Sequence, residues 1–130
     1  MKLDSSGEVE WFNRYGGSED DSLDDVVALS DGSCIVVGSS ESSDGDVSSN
    51  HGGQDFWIFK LTADGNVVWS VNYGGSHDDK AKALIMAQND KIVVLGQSQS
   101  WRSLCLPLPS LASLPFAFPR LFSLCLSLRL

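Results

Sequence analysis

Tyr15-Gly16-Gly17-Ser18-Glu19-Asp20-Asp21 returns 58 residues later as Tyr73-Gly74-Gly75-Ser76-His77-Asp78-Asp79. Outward from this pair the agreement continues without a gap. Lys2-Leu3 falls on Lys60-Leu61, Gly7 on Gly65, Val9 on Val67 and Trp11 on Trp69. On the far side Val36, Gly38, Ser40 and Ser42 fall on Val94, Gly96, Ser98 and Ser100. Residues 2–42 and 60–100 are therefore two copies of one repeat, identical at 15 of 41 positions. Other positions exchange one apolar residue for another, as Ile35 for Val93 and Val37 for Leu95. A fixed period of this kind marks a repeat architecture. Unit one spans residues 2–59, and a partial unit two spans 60–100.

Inside the repeat the local signals are for strands. Val26-Val27-Ala28-Leu29 and Cys34-Ile35-Val36-Val37 flank Ser30-Asp31-Gly32, a β-hairpin pattern with an Asp-Gly turn. The second copy places Asn89-Asp90 between Ala83-Leu84-Ile85-Met86 and Ile92-Val93-Val94-Leu95. A further hairpin is expected from Phe56 to Trp69, turning at Asp64-Gly65-Asn66. Gly16-Gly17 and Gly74-Gly75 break the chain where positive φ is easily reached. No stretch has a sustained helical period with caps; a short helix could be drawn around Asp78 to Met86, but the aligned Asp20 to Leu29 argues for strand. One period thus holds about four short strands, and the expected fold class is all-β.

Four antiparallel strands per repeat predict β-propeller-type blades. Three strings sharpen this. They are Trp-x3-Tyr-Gly-Gly-Ser-x-Asp-Asp, Asp-Gly-x3-Val-Val-Gly-x-Ser, and Asp-Gly-Asp-Val-Ser-x-Asn-x-Gly-Gly-x-Asp-Phe-Trp. Residues 2–100 resemble the tandem β-propeller-type repeats of large secreted bacterial surface proteins. Many of those, in the Bacteroidetes group, carry C-terminal sorting domains of the type IX secretion kind. The resemblance implies an extracellular or cell-surface location, and further blades of a parent chain as partners. About one and two-thirds units of 58 residues are present, whereas a closed propeller needs at least four blades.

The chain has 17 Asp and Glu against 9 Lys and Arg, a formal net charge of −8. That balance argues against nucleic acid and against an anionic membrane as partners. Three cysteines stand at no metal-ligand spacing, and Cys34, aligned with Ile92, reads as a small hydrophobe. Met1-Lys2-Leu3-Asp4-Ser5 has no apolar core of a signal peptide, and a start inside a repeat is expected of a piece of a longer protein. At residue 101 the composition changes. Residues 101–130 hold all four prolines and no acid or glycine. The counterparts of Asp44-Gly45-Asp46 and Asp55-Phe56-Trp57 are missing there. This Leu/Ser/Pro tail is expected not to be native to the repeat. Its prolines and Arg120 interrupt every window long enough to span a bilayer, so no membrane span is expected. Leu124 to Leu130 alternates apolar with Ser, Cys and Arg, a strand period or an accident of composition.

No residue set makes a convincing active site, and no enzyme activity is expected. Asp20-Asp21 and Asp78-Asp79 are paired carboxylates with the composition of an acid–base pair. They recur once per repeat, however, as a turn does, so bonds to turn backbone N–H groups are the expectation. Asp44, Asp46, Ser48, Asn50 and Asp55 have the donor spacing of a calcium loop, the one cofactor considered. The sixth position is Ser49 rather than Gly, and the twelfth is Asp rather than Glu, so a plain inter-strand loop stands against that reading. His51 and His77 are not repeat equivalents and read as loop residues. Trp11, Trp57, Trp69, Tyr15 and Tyr73 are expected to pack between blades, with a sugar-stacking surface as the rival. The expected function is a non-enzymatic repeat module, a scaffold or a surface binding protein or glycan. The alternative is an accessory propeller fragment of a larger carbohydrate-active enzyme.

Overall fold

The computed structural model describes residues 1–88 and 91–100, and the backbone of 122–129. The Asn89-Asp90 turn and residues 101–121 and 130 lie outside the described residues. There are nine strands and no helix among the residues described: β1 (Lys2–Leu3), β2 (Val9–Trp11), β3 (Asp21–Ala28), β4 (Cys34–Ser40), β5 (Asp55–Leu61), β6 (Val67–Tyr73), β7 (Asp79–Ala87), β8 (Lys91–Ser98) and β9 (Phe122–Arg129). They form three antiparallel sheets: β1-β2, β3-β4-β5-β6 and β7-β8-β9. The second sheet is a meander of four strands, as one period predicts. It begins at Asp21, however, so the sheets take a different phase of the period from units 2–59 and 60–100. The described residues close no ring.

The turns follow from glycine. Gly7, Gly32 and Gly65 have φ of 88°, 82° and 80°, a region that side-chain-bearing residues avoid. Around each, one bonding pattern recurs. Asp4 N–H donates to Glu8 O and Gly7 N–H to Asp4 O; 58 residues on, Thr62 donates to Asn66 and Gly65 to Thr62. Leu29 and Gly32 do the same with Ser33 and Leu29. Asp31 accepts from both the hydroxyl and the amide of Ser33, and these bonds hold its carboxyl below the ordinary range. A lowered folded value contributes stability above the ordinary carboxylate range, lost as pH falls through the lowered value. An NMR titration of the Ser33 amide is therefore expected to show a midpoint below that of a free aspartate.

β5 reads Asp55-Phe56-Trp57-Ile58-Phe59-Lys60-Leu61 and is buried on both faces, which a near-continuous apolar run requires. Phe56 and Ile58 join Ile35 and Val37 on one face, against Ala81, Leu84, Ile92 and Val94 of the third sheet. Trp57 and Phe59 join Val36 and Leu61 on the other, beneath Trp11 and Tyr15 beside the first sheet. Trp11, Trp57, Trp69, Tyr15 and Tyr73 thus pack between sheets, with Trp57 stacked on Phe59 at 4.3 Å. Cys34 is half-buried at the edge of this cluster, and burial pushes its thiol up. It is a protonated, unreactive filler.

Positions one repeat apart differ in burial. Leu84 is 6% exposed and its equivalent Val26 is 60% exposed. Leu84→Ala is expected to cost about 2–4 kcal/mol by leaving a cavity, and Val26→Ala less than ~0.5 kcal/mol. Urea unfolding of both variants checks this.

Candidate functional site at the acidic end of the sheets

The candidate residues gather where β3, β5 and β7 begin. Asp21 pairs with Ser40 and Ser40 with Asp55, so these three side chains share one face. The Gly-Gly turns lead into this row. Gly17 N–H donates to Asp21 Oδ2 at 2.8 Å, and Gly75 N–H to Asp79 Oδ2 at 2.7 Å. Around each acid the same scaffold repeats. Glu41 and Gln99 N–H donate to Asp20 and Asp78 carbonyls, each at 2.9 Å. Ser42 and Ser100 N–H donate to the Ser40 and Ser98 hydroxyls. Asp78 Oδ1 accepts from Gln54 N–H, which ties the second turn to the start of β5.

Asp55 and Asp79 are fully buried, and Gly74 lies between them. A Cβ on Gly74 would stand 2.1 Å from Asp55 Oδ1 and 3.0 Å from Asp79 Oδ2, which places the two carboxylates within about 5 Å of each other. Asp55 Oδ2 accepts from His51 N–H at 2.8 Å and meets His51 Nδ1 at 2.7 Å. The Oδ1 atoms of Asp21, Asp55 and Asp79 are buried without a hydrogen-bond partner among the described residues. Asn72, also buried, has neither side-chain atom bonded there.

The loop of oxygen donors is divided by this geometry. Asp44 Oδ1 accepts from Ser18 N–H at 2.8 Å and Asp46 Oδ2 from Gly16 N–H at 3.2 Å. Ser48 is exposed. Asn50 Nδ2 donates to Ser40 and Gly53 carbonyls, while its Oδ1 accepts from Gly52 N–H. Asp55 is held by His51. Asp44 and Asp46 thus brace the first Gly-Gly turn, and Asp55 braces the loop before β5. Among the described residues no group of three or more His, Cys, Asp or Glu side chains is placed to hold a metal ion.

Acid, imidazole and hydroxyl groups also divide into separate pairs. His51 meets Asp55, whereas Ser76 Oγ meets His77 Nδ1 at 2.9 Å. Of the paired aspartates, Asp21 and Asp79 accept from turn amides and Asp78 accepts from Gln54 N–H.

Two contacts join the second and third sheets, and one of them has a trace in the sequence. Asp24 Oδ1 meets Lys82 Nζ at 2.7 Å, and these residues occupy the same repeat position. Each stands at a bulge, between Leu23 and Asp25 and between Ala81 and Ala83, which redirects its side chain. The opposite charges at one repeat position were the available signal. Asp25 Oδ2 accepts from Leu84 N–H at 2.9 Å. The approach of Asp55 to Asp79 had no such signal, because it depends on the packing of one sheet on the next.

No protein-family model matches the chain. It is similar to the regulatory protein FlaEY of Caulobacter vibrioides, 29% identical over 110 residues. The alignment covers 77% of this chain and 11% of that protein, so the chain spans about a tenth of the relative's length. Among the described residues no helix is long and apolar enough to cross a membrane.

Proposed function

We propose that the chain is a run of β-propeller-type blades in a non-enzymatic scaffold, with loops that bind a protein or glycan partner at a cell surface or outside the cell. One observation carries the reading. The second aspartate of each Asp-Asp pair is engaged by the amide four residues before it, in both repeats alike. Catalysis needs one acid in one environment, whereas every blade needs its turn. The side-by-side packing of the four-stranded second sheet with its neighbours is what blades require. The surface location rests on the resemblance to secreted repeat proteins. The Caulobacter relative is a much longer regulatory protein, and a loop-presenting scaffold suits a segment of such a chain.

Asp79→Ala tests the reading. It leaves the Gly75 N–H without its acceptor and is expected to cost about 1–3 kcal/mol of stability. No hydrolysis of a polysaccharide panel is expected from either form. A wild-type glycosidase activity lost in a variant of unchanged stability would replace the scaffold with an enzyme.

A further inference from the structure

Two carboxylates are buried where the second and third sheets meet, and among the described residues no lysine or arginine balances them. Asp55 opens β5 and Asp79 opens β7, and both are 0% exposed. A Cβ on Gly74 would meet Asp55 Oδ1 and Asp79 Oδ2 at once, so the two groups converge over this glycine. The lysines nearest Asp79 in the chain are engaged elsewhere. Lys80 meets Asp78 at 3.5 Å, and Lys82 meets Asp24. Asp55 has the half-exposed His51 on Oδ2 alone, and Asp79 has the Gly75 amide on Oδ2. A charge so placed is costly unless it is paired or coordinates a metal.

A third polar side chain is directed to the same place. Asn72 is 8% exposed, and neither its oxygen nor its nitrogen has a partner among the described residues. Asn72 stands opposite Trp57 and Tyr73 opposite Phe56, so Gly74 falls opposite Asp55. Side chains two apart on a strand share a face. Asn72 therefore leaves β6 on the side where Asp55 Oδ1 lies over Gly74. Trp57 leans the other way, its Nε1 donating to Ser70 Oγ at 2.8 Å. Asp55 Oδ1 and Asp79 Oδ1 are likewise buried without a partner among the described residues. The first copy is a contrast. Asp21, the equivalent of Asp79, takes a second bond on Oδ2 from the Ser42 hydroxyl at 3.1 Å, whereas the Ser100 hydroxyl turns to the His77 carbonyl.

We propose that Asp55, Asp79 and Asn72 bind one calcium ion, which fastens the second sheet to the third. The donors are all oxygen and two of them are anionic, which selects a hard divalent cation. Calcium takes oxygens at about 2.3–2.6 Å, so two oxygens that share it stand at most about 5 Å apart. The carboxylates meet that limit, since both reach the one Cβ position of Gly74. Two carboxylates with an amide oxygen suffice, because calcium takes carbonyl and water oxygens for the rest. Magnesium keeps several of its waters and suits so buried a place less well. The site shares only Asp55 with the loop of oxygen donors, whose Asp44 and Asp46 are engaged by turn amides.

Thermal melts of the full chain in EDTA and in calcium chloride, with titration calorimetry beside them, test this. At calcium about a hundredfold above Kd the melting midpoint should rise by roughly 10 °C. Asp79→Asn keeps an acceptor for the Gly75 amide, yet should abolish both the shift and the heat of binding. Asn72→Asp adds a third anionic donor and should tighten binding at least tenfold, a gain that can be read even where a loss variant fails to fold. Asp44→Asn, in the loop of oxygen donors, should leave the shift as it is. A wild-type chain that calcium neither stabilises nor binds overturns the proposal. So does a shift that persists in Asp79→Asn, one that a folded Asp44→Asn loses, an Asn72→Asp chain that binds no tighter, or an equal shift from magnesium. The scaffold reading stands apart from these outcomes, because it is judged by hydrolysis.

Discussion

Trp57→Ala is expected to destabilise the chain by about 4 kcal/mol, enough to unfold a molecule of ordinary marginal stability. Among the described residues Trp57 is the largest fully buried side chain. It stacks on Phe59, its Nε1 donates to Ser70 Oγ at 2.8 Å, and it lies under Trp11 and Tyr15. Truncation removes the apolar contact and leaves a void between two sheets. Relaxation is limited, because β5 is paired on both sides and its opposite face is fixed by Phe56 and Ile58. Trp57→Phe should recover most of the apolar part and lose only the bond to Ser70, about 1 kcal/mol. Chemical unfolding followed by circular dichroism separates the two variants. Equal stability of Trp57→Ala and wild type would mean that the first sheet does not cover this face.

Gly38→Ala is expected to cost about 3 kcal/mol, the upper end for a residue forced into a packed site. A Cβ there would stand 1.8 Å from the Ser22 carbonyl oxygen, and backbone cannot swing aside as a side chain can. Gly38 faces Leu23, beside the bulge of β3. Gly96 stands in the same place one repeat later, with the Lys80 carbonyl 2.2 Å from its would-be Cβ and Phe56 against it as well. Gly96→Ala should therefore be damaging too. Gly7→Ala is the contrast. Nothing lies within 4 Å of its would-be Cβ, and only its φ of 88° opposes the change, at about 1–2 kcal/mol. A thermal-melt series ranking Gly38 and Gly96 well above Gly7 is the expected result. The reverse ranking would mean that turn conformation, and not strand approach, is why glycine returns in each repeat.

The glycines show how much of the fold was legible in advance. Gly38 and Gly96 recur at the offset of 58, and so do Gly7 and Gly65. Recurrence says that glycine is needed, but not whether for a positive φ or for space. Asp21 and Asp79 were legible in role, because a group present in both copies is doing what each copy needs, here accepting from a turn amide. The donor spacing of Asp44, Asp46, Ser48, Asn50 and Asp55 is a property of chain order. In the folded loop Asp44 and Asp46 turn to the Gly16–Ser18 amides and Asp55 to His51.

By itself the sequence determined the period, the hairpins at Asp31-Gly32 and Asp64-Gly65, and the all-β antiparallel class. These rest on alternation and turn chemistry, which act between residues near each other in the chain. Only the tertiary structure decided the phase of the sheets, the meeting of Asp55 with Asp79 beside Gly74, and the pairing of β9 with β8. It also decided that Val26 and Leu84, one repeat apart, differ in burial. A repeat gives both residues the same local surroundings, but burial depends on whether another sheet lies against them. That is settled by which sheet packs on which, a long-range fact that the period does not carry.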